Sequence, residues 1–198
     1  MLKIGLTGGI ASGKTKISDL FNQFETPIID TDIISREALE PCQLGYVEIL
    51  NHFGNSILLG DTQIDRPKLR QLIFNDNNEK KWLESVLHPI IFKQTQSQIE
   101  HYSEAKYVMI VVPLLFETDF SKLVDRVLVV DCGATTQIER LLRRDKIDIV
   151  LAQRMVDNQC SNQDRINLAN DVIDNNKNGD LNFQVMTLHE KYLALSKQ

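Results

Sequence analysis

Hydrophobic residues in this chain follow two rhythms. The first is a short, nearly continuous run: Lys3-Ile4-Gly5-Leu6-Thr7, Pro27-Ile28-Ile29-Asp30, Tyr107-Val108-Met109-Ile110-Val111-Val112, Arg126-Val127-Leu128-Val129-Val130-Asp131 and Asp171-Val172-Ile173-Asp174. The second has helical spacing, as in Ile17, Leu20, Phe21 and Phe24 after the first run. Runs rich in β-branched residues, apolar at successive positions, suit strands buried on both faces. They predict an α/β fold with a central parallel sheet of five strands and helices on each side. In such sheets functional residues gather beyond the carboxyl ends of the strands. Asp30, Asp32, Glu117 and Asp131 all fall near predicted ends.

Between the second and third predicted strands the pattern changes. Residues from about Glu40 to Ser103 carry helical runs at Tyr46-Val47-Ile49-Leu50, Leu69-Leu72-Ile73-Phe74 and Trp82-Leu83-Val86-Leu87. Gly54, Gly60 and Asp61 break them with turns. A right-handed crossover between parallel strands needs only one helix, so this excess is expected to form a helical subdomain over a second substrate. The core is then expected at about 1–39 and 104–198, the insertion at about 40–103, and a small lid at about 140–160. No internal repeat or low-complexity tract is present.

The first run leads directly into Gly8-Gly9-Ile10-Ala11-Ser12-Gly13-Lys14-Thr15, which matches G-x-x-x-x-G-K-[ST]. The chemistry demands these residue types. Glycines let the backbone wrap so that N–H groups from Gly9 to Thr15 face phosphate oxygens. Lys14 supplies a mobile charge for the β- and γ-phosphates, and the Thr15 hydroxyl a ligand for Mg²⁺. A chance match in a chain this long has odds of roughly one in a hundred. The strand before the loop and the helical spacing after it lower those odds further. The pattern predicts a nucleoside triphosphate site.

Composition narrows the remaining classes. The formal net charge of −5 advertises no basic surface for nucleic acid. The longest apolar run, Val108 to Phe116, is too short to cross a bilayer and contains Pro113. With the first strand starting at the N-terminus, no signal peptide is expected and a cytoplasmic location is. Cys42, Cys132 and Cys160 are odd in number and lack a CxxC, which suits reduced thiols rather than disulfides or a zinc site.

Two further constellations carry chemistry. Asp30-Thr31-Asp32 closes the second predicted strand. A carboxylate there can accept the proton of a hydroxyl nucleophile or hold Mg²⁺ through water; it serves equally well as a helix N-cap before Ile33-Ile34. Arg140, Arg143, Arg144, Lys146 and Arg154 form an arginine-rich stretch, with Arg140 and Arg144 on one helical face. Guanidinium groups on a lid can neutralise a transferring phosphoryl group. Alone, such a stretch reads as a solvated basic face with Glu139 and Asp145 as partners. The phosphate loop reverses that preference.

Gly5 to Thr15, Ile29 to Arg36, Ile64-Asp65-Arg66, Leu87-His88-Pro89-Ile90, Val112 to Glu117, Gln137 to Asp145 and Val172-Ile173-Asp174-Asn175 together resemble the dephospho-CoA kinases nearly end to end. The resemblance implies a P-loop kinase core with a helical CoA-binding insertion and a small lid. It implies ATP-dependent phosphorylation of the ribose 3′-hydroxyl of dephospho-CoA, with ATP as co-substrate and Mg²⁺ as cofactor. Asp32 would be the base, with Lys14 and Arg140 stabilising the transferred group. Gly9, Ile10, Ala11, Ser12, Gly13, Lys14, Thr15, Arg144 and Asn175 would bind ATP; Arg66, His88 and Glu117, with Asp32, would bind the acceptor. His88-Pro89 reads equally as a turn and helix start, with proline at the first helical position.

Three departures from the family pattern stand out. Ala11 replaces a usual glycine and fits unless its φ is positive. Asn170 replaces a usual aspartate, removing a charge expected near the nucleotide. Residues 146–150 are more apolar than an exposed lid should be. Two rival readings are another small-molecule kinase of the same core and a GTPase-like switch. No D-x-x-G follows the loop, and Asn176-Lys177-Asn178-Gly179 lacks the aspartate of a guanine reader.

Overall fold

The computed structural model describes residues 1–60, 62–176 and 180–197. Asp61 and Lys177–Gly179, named above for a turn and for the guanine-reader comparison, lie outside the described residues. The chain divides into two units, Met1–Asp30 with Ile99–Gln198, and Thr31–Gln98.

In the first unit, β1 (Leu2–Gly8) leads through the loop to α1 (Lys14–Asn22) and β2 (Ile28–Asp30). In the second unit come α2 (Thr31–Glu37), α3 (Leu44–Phe53), the two-stranded hairpin of β3 (Leu58–Leu59) and β4 (Gln63–Ile64), α4 (Arg66–Asn75), and α5 (Asn77–His101), whose last residues return to the first unit. The first unit continues with β5 (Tyr107–Val111), β6 (Arg126–Asp131), α6 (Ala134–Asp145), α7 (Ile149–Asp157), α8 (Asn162–Leu168), β7 (Asp171–Asp174) and α9 (Leu181–Leu195).

The five apolar runs all become strands of one parallel sheet, ordered β2-β5-β1-β6-β7. Their registers align Ile4 with Met109 and Leu6 with Leu128. On one face Ile4, Leu6, Met109, Leu128 and Ile173 pack with Ile17 and Phe21 of α1 and Val185 and Tyr192 of α9. On the other, a Cβ at Gly5 would press on Leu115 and Val124 at 3.0 and 3.1 Å, so a second layer touches the strand backbone there. Burial on both faces explains why β1, β5 and β6 do not alternate with polar residues, whereas β7 at the sheet edge does alternate, with Ile173 buried and Val172 exposed. The chain leaves central β1 toward β2 on one side and later builds β6 and β7 on the other. That reversal opens the crevice beyond the β1 carboxyl end.

At the opposite, amino ends of the strands a polar network is buried. Thr26 Oγ1 donates to Tyr107 Oη at 2.9 Å, and Tyr107 Oη lies 2.7 Å from His189 Nδ1. Burial pushes the Tyr107 hydroxyl up to about 12 and moves His189 below its usual range, against the opposing pull of Glu190. Asp171 joins Lys191, Arg126 and Tyr192 nearby. Burial alone would raise the Asp171 carboxyl, but its bonds to Lys191 and Arg126 together hold it below its usual value.

The second unit begins with α2, ahead of the break near residue 40, because Tyr46 N donates back to Ala38 O at 3.1 Å and ties α2 to α3. Asp65 caps α4 by accepting from Lys68 N at 3.0 Å, with Pro67 in the first turn. Pro89 lies inside the 25-residue α5, so the turn-and-helix-start reading of His88-Pro89 is overturned. A proline removes one backbone donor, and here the helical turns on both sides carry the helix through it.

Candidate active site

β1 stops at Gly8 and α1 starts at Lys14, so residues 9–13 must turn the chain through the crevice. Gly13 does this at φ 98°, in the left-handed region that only glycine occupies freely. Ala11 has φ 54°. The condition under which alanine fits without strain is therefore not met. Left-handed backbone costs an L-residue about 1–2 kcal/mol, held here by the surrounding bonds.

Those bonds come from far along the chain. Gln137 Nε2 donates to Ile10 O at 2.7 Å. Arg140 Nη1 donates to Ala11 O at 3.2 Å and Ser12 O at 3.0 Å, and Asn175 Nδ2 to Ser12 O at 2.6 Å. A trans peptide points its N–H opposite to its C=O. With the Ile10 and Ser12 carbonyls held on the outer side, the Ala11 and Gly13 amides face inward, making an anion-binding concavity. The start of α1 adds its positive dipole end. Lys14 folds back over the loop, its Nζ donating to Gly8 O at 2.9 Å and Gly9 O at 3.2 Å. Thr15 is exposed in the first turn of α1.

Arg140 also donates to Cys132 Sγ at 3.3 Å and Asn175 O at 2.9 Å, joining the loop to the ends of β6 and β7. Burial raises the Cys132 thiol against the pull of Arg140, so it stays a neutral acceptor. Arg140 thus grips the carbonyl side of the loop. Arg144, one turn on, is exposed and turned to Asp145, at 2.7 Å from Nε and 2.8 Å from Nη2. Lys146 ends α6 at φ 53°, and α7 follows with Ile149 and Val150 exposed, so the apolar stretch of the expected lid does lie on the surface.

Glu117 is exposed in the turn after β5. In the second unit, Asp32 is exposed in the first turn of α2 rather than capping it. Arg66 opens α4 and donates through Nη2 to Arg36 O and Glu40 Oε1, both at 2.9 Å. His88 is exposed on α5. Asn170 requires a correction. Its side chain accepts from Val127 N at 2.7 Å and its amide donates to Val127 O at 3.0 Å. Both contacts lie at the amino ends of β6 and β7, the far end of the sheet from the loop, so Asn170 alters no charge at the phosphate site.

Three residues that the sequence reading gave no role of their own meet the loop. Gln159 Oε1 accepts from Ile10 N at 2.7 Å. Gln137 is 2% exposed yet polar. Arg165 is 5% exposed, and its Nη2 lies 2.7 Å from where a Gly9 Cβ would stand. Gln137 alone was legible, one turn before Arg140 on the same helical face. Gln159 and Arg165 sit in polar stretches without periodicity.

Among the described residues no three His, Cys, Asp or Glu side chains converge as a metal cage. A hard cation fits here in another way. Mg²⁺ binds through one or two protein oxygens with nucleotide phosphates and waters completing its shell, and the Thr15 hydroxyl at the loop is such an oxygen. No helix among the described residues is long and apolar enough to cross a membrane.

A loop of this geometry serves many phosphate-binding proteins, and comparison with known proteins narrows the choice. A solved shikimate kinase from Acinetobacter baumannii superposes with a TM-score of 0.55 at 15% identity, covering 98% of this chain and 94% of that one, which shows the P-loop kinase fold. The dephospho-CoA kinase structure from Campylobacter jejuni gives 0.72 at 25% identity, covering 98% and 97%. The curated dephospho-CoA kinase of Vibrio parahaemolyticus is 46% identical over 199 aligned positions, covering 100% of this chain and 97% of that one. The family profile for dephospho-CoA kinase matches residues 2–180, a span that takes in the loop, its distant braces and the whole second unit, and the chain belongs to that family.

Proposed function

We propose that this enzyme transfers the γ-phosphoryl group of ATP to the ribose 3′-hydroxyl of dephospho-CoA, giving coenzyme A and ADP. The observation that carries the reading is the phosphate loop with Lys14 folded over Gly8 and Gly9, in a chain of the dephospho-CoA kinase family. Asp32 takes the hydroxyl proton as the oxygen attacks the γ-phosphorus, and the bridging P–O bond breaks toward ADP. Lys14 neutralises charge on the transferring group. Arg140 adds its charge from behind the loop, 3.6 Å from the Gly13 Cβ position, while it holds the amides in place. The loop from Gly9 to Thr15 binds the ATP phosphates, with Asn175 and Arg144 toward the rest of the nucleotide. Arg66, His88 and Glu117 serve the acceptor. The Thr15 hydroxyl would hold Mg²⁺ together with the nucleotide phosphates, where the ion would supply charge neutralisation.

Mg-ATP with dephospho-CoA, AMP, CMP, shikimate or no acceptor, followed by ADP release, tests the reading. Turnover with dephospho-CoA alone, and coenzyme A as product, is expected. Turnover with a different acceptor only would reject the substrate assignment.

A further inference from the structure

Arg165 is the most unusual charge in the first unit. The residue is 5% exposed, and its Nε is buried with no hydrogen-bond partner among the described residues. Among the described residues its guanidinium makes one hydrogen bond, from Nη1 to the backbone carbonyl of Cys160. No ion pair among the described residues includes it. The acid on its own helix, Asp164, is instead bonded to Ser161 at 2.6 Å, and Asp131, at the end of β6, accepts from Asn162 at 2.6 Å. A buried cation without an anion is expensive unless function requires it. Such groups mark sites where charge arrives from a ligand.

Position says which charge. Arg165 Nη2 lies 2.7 Å from the Cβ position of Gly9. Lys14 Nζ donates to the carbonyl of the same Gly9 at 3.2 Å. The two cations therefore flank one residue at the start of the loop, the end that Lys14 shares with the outermost phosphates. Arg140 is placed otherwise: its donors are taken by Ala11, Ser12, Cys132 and Asn175. The arginine cluster that dominates the sequence thus supplies the brace, while an isolated arginine supplies the free charge.

We propose that Arg165 is a catalytic residue that contacts the γ-phosphoryl oxygens directly and neutralises the charge they carry as the phosphoryl group moves. The proposal rests on the phosphoryl-transfer reading above and names the residue that completes its site. As the acceptor oxygen bonds to the γ-phosphorus, the bridging oxygen leaves with its electron pair on ADP and the hydroxyl proton passes to a carboxylate. Arg165 exchanges no proton; its fork stabilises the equatorial oxygens throughout.

The test uses the full chain and two variants. Arg165→Met keeps the apolar stem and removes the charge; Arg165→Lys keeps the charge and removes the fork. Calorimetry gives the affinities of Mg-ATP and Mg-ADP, thermal melts give the stability of the unliganded protein, and steady-state kinetics use dephospho-CoA. Arg165→Met is expected to lower kcat about 10³-fold and to weaken Mg-ATP about tenfold more than Mg-ADP. Its unliganded melting temperature should not fall, because an uncompensated buried charge has been removed. Arg165→Lys should recover part of kcat. Equal weakening of ATP and ADP, or a lower melting temperature with kcat unchanged, would overturn the proposal and make Arg165 structural. If Arg165→Met fails to fold, the ATP-to-ADP ratio of Arg165→Lys decides: an unchanged ratio and kcat overturn the proposal. Wild-type protein inactive on dephospho-CoA would reject the substrate reading alone, since the ATP-to-ADP ratio is measured without an acceptor.

Discussion

Substituting Gly13 with alanine makes two separable demands on the loop. The backbone at φ 98° is strained for any side chain, by about 1–2 kcal/mol. The new Cβ would also stand 2.2 Å from Asn175 Nδ2, an impossible contact. Asn175 is buried and donates to Ser12 O at 2.6 Å, so moving it breaks that bond and leaves a buried amide unpaired. That adds roughly 1–3 kcal/mol, and Gly13→Ala should cost roughly 2–5 kcal/mol in all. Asn175→Ala removes the clashing atoms, leaving Arg140 Nη1 at 3.6 Å as the next neighbour. In that background Gly13→Ala should cost only the backbone strain, about 1–2 kcal/mol. Urea unfolding of the four proteins completes a double-mutant cycle, and a coupling of roughly 1–3 kcal/mol is expected. Equal cost of Gly13→Ala in both backgrounds would show that Asn175 does not brace the loop.

Three further outcomes follow from the same geometry. Ala11→Gly removes left-handed strain at φ 54° but adds freedom to the unfolded chain, so urea unfolding should show a net gain of up to about 1 kcal/mol; a loss would mean the alanine methyl packs productively. His189 has its folded pKa lowered by burial, so the folded state binds its proton later than the unfolded chain does. Its contribution is present above the unfolded value near 6.5 and lost as pH falls through the depressed folded value, and His189→Gln should flatten stability against pH in that window; an unchanged profile would refute it. Asp32→Asn should lower kcat by roughly 10²–10⁴ with nucleotide affinity nearly intact, and a near-normal kcat would remove Asp32 from the role of base.

The sequence by itself determined the local elements, because burial and periodicity act over neighbouring residues. Five apolar runs marked the five strands, though edge strand β7 proved to be covered on one face only, and Gly8 to Thr15 marked a tight turn opening a helix. What meets that turn was decided by the tertiary structure. The braces on Ile10 and Ser12 come from Gln137 and Asn175, separated by 127 and 163 residues. Their approach depends on β1 lying between β5 and β6, and no local pattern encodes that order. Strand direction sent Asn170 to the far end of the sheet, although its place in the family pattern implied a position near the nucleotide. Charge counting on the linear chain singled out Arg140 and its neighbours. Only burial, which is a property of the packed chain, separates an arginine satisfied by carbonyls from Arg165, which is enclosed with no anionic partner among the described residues.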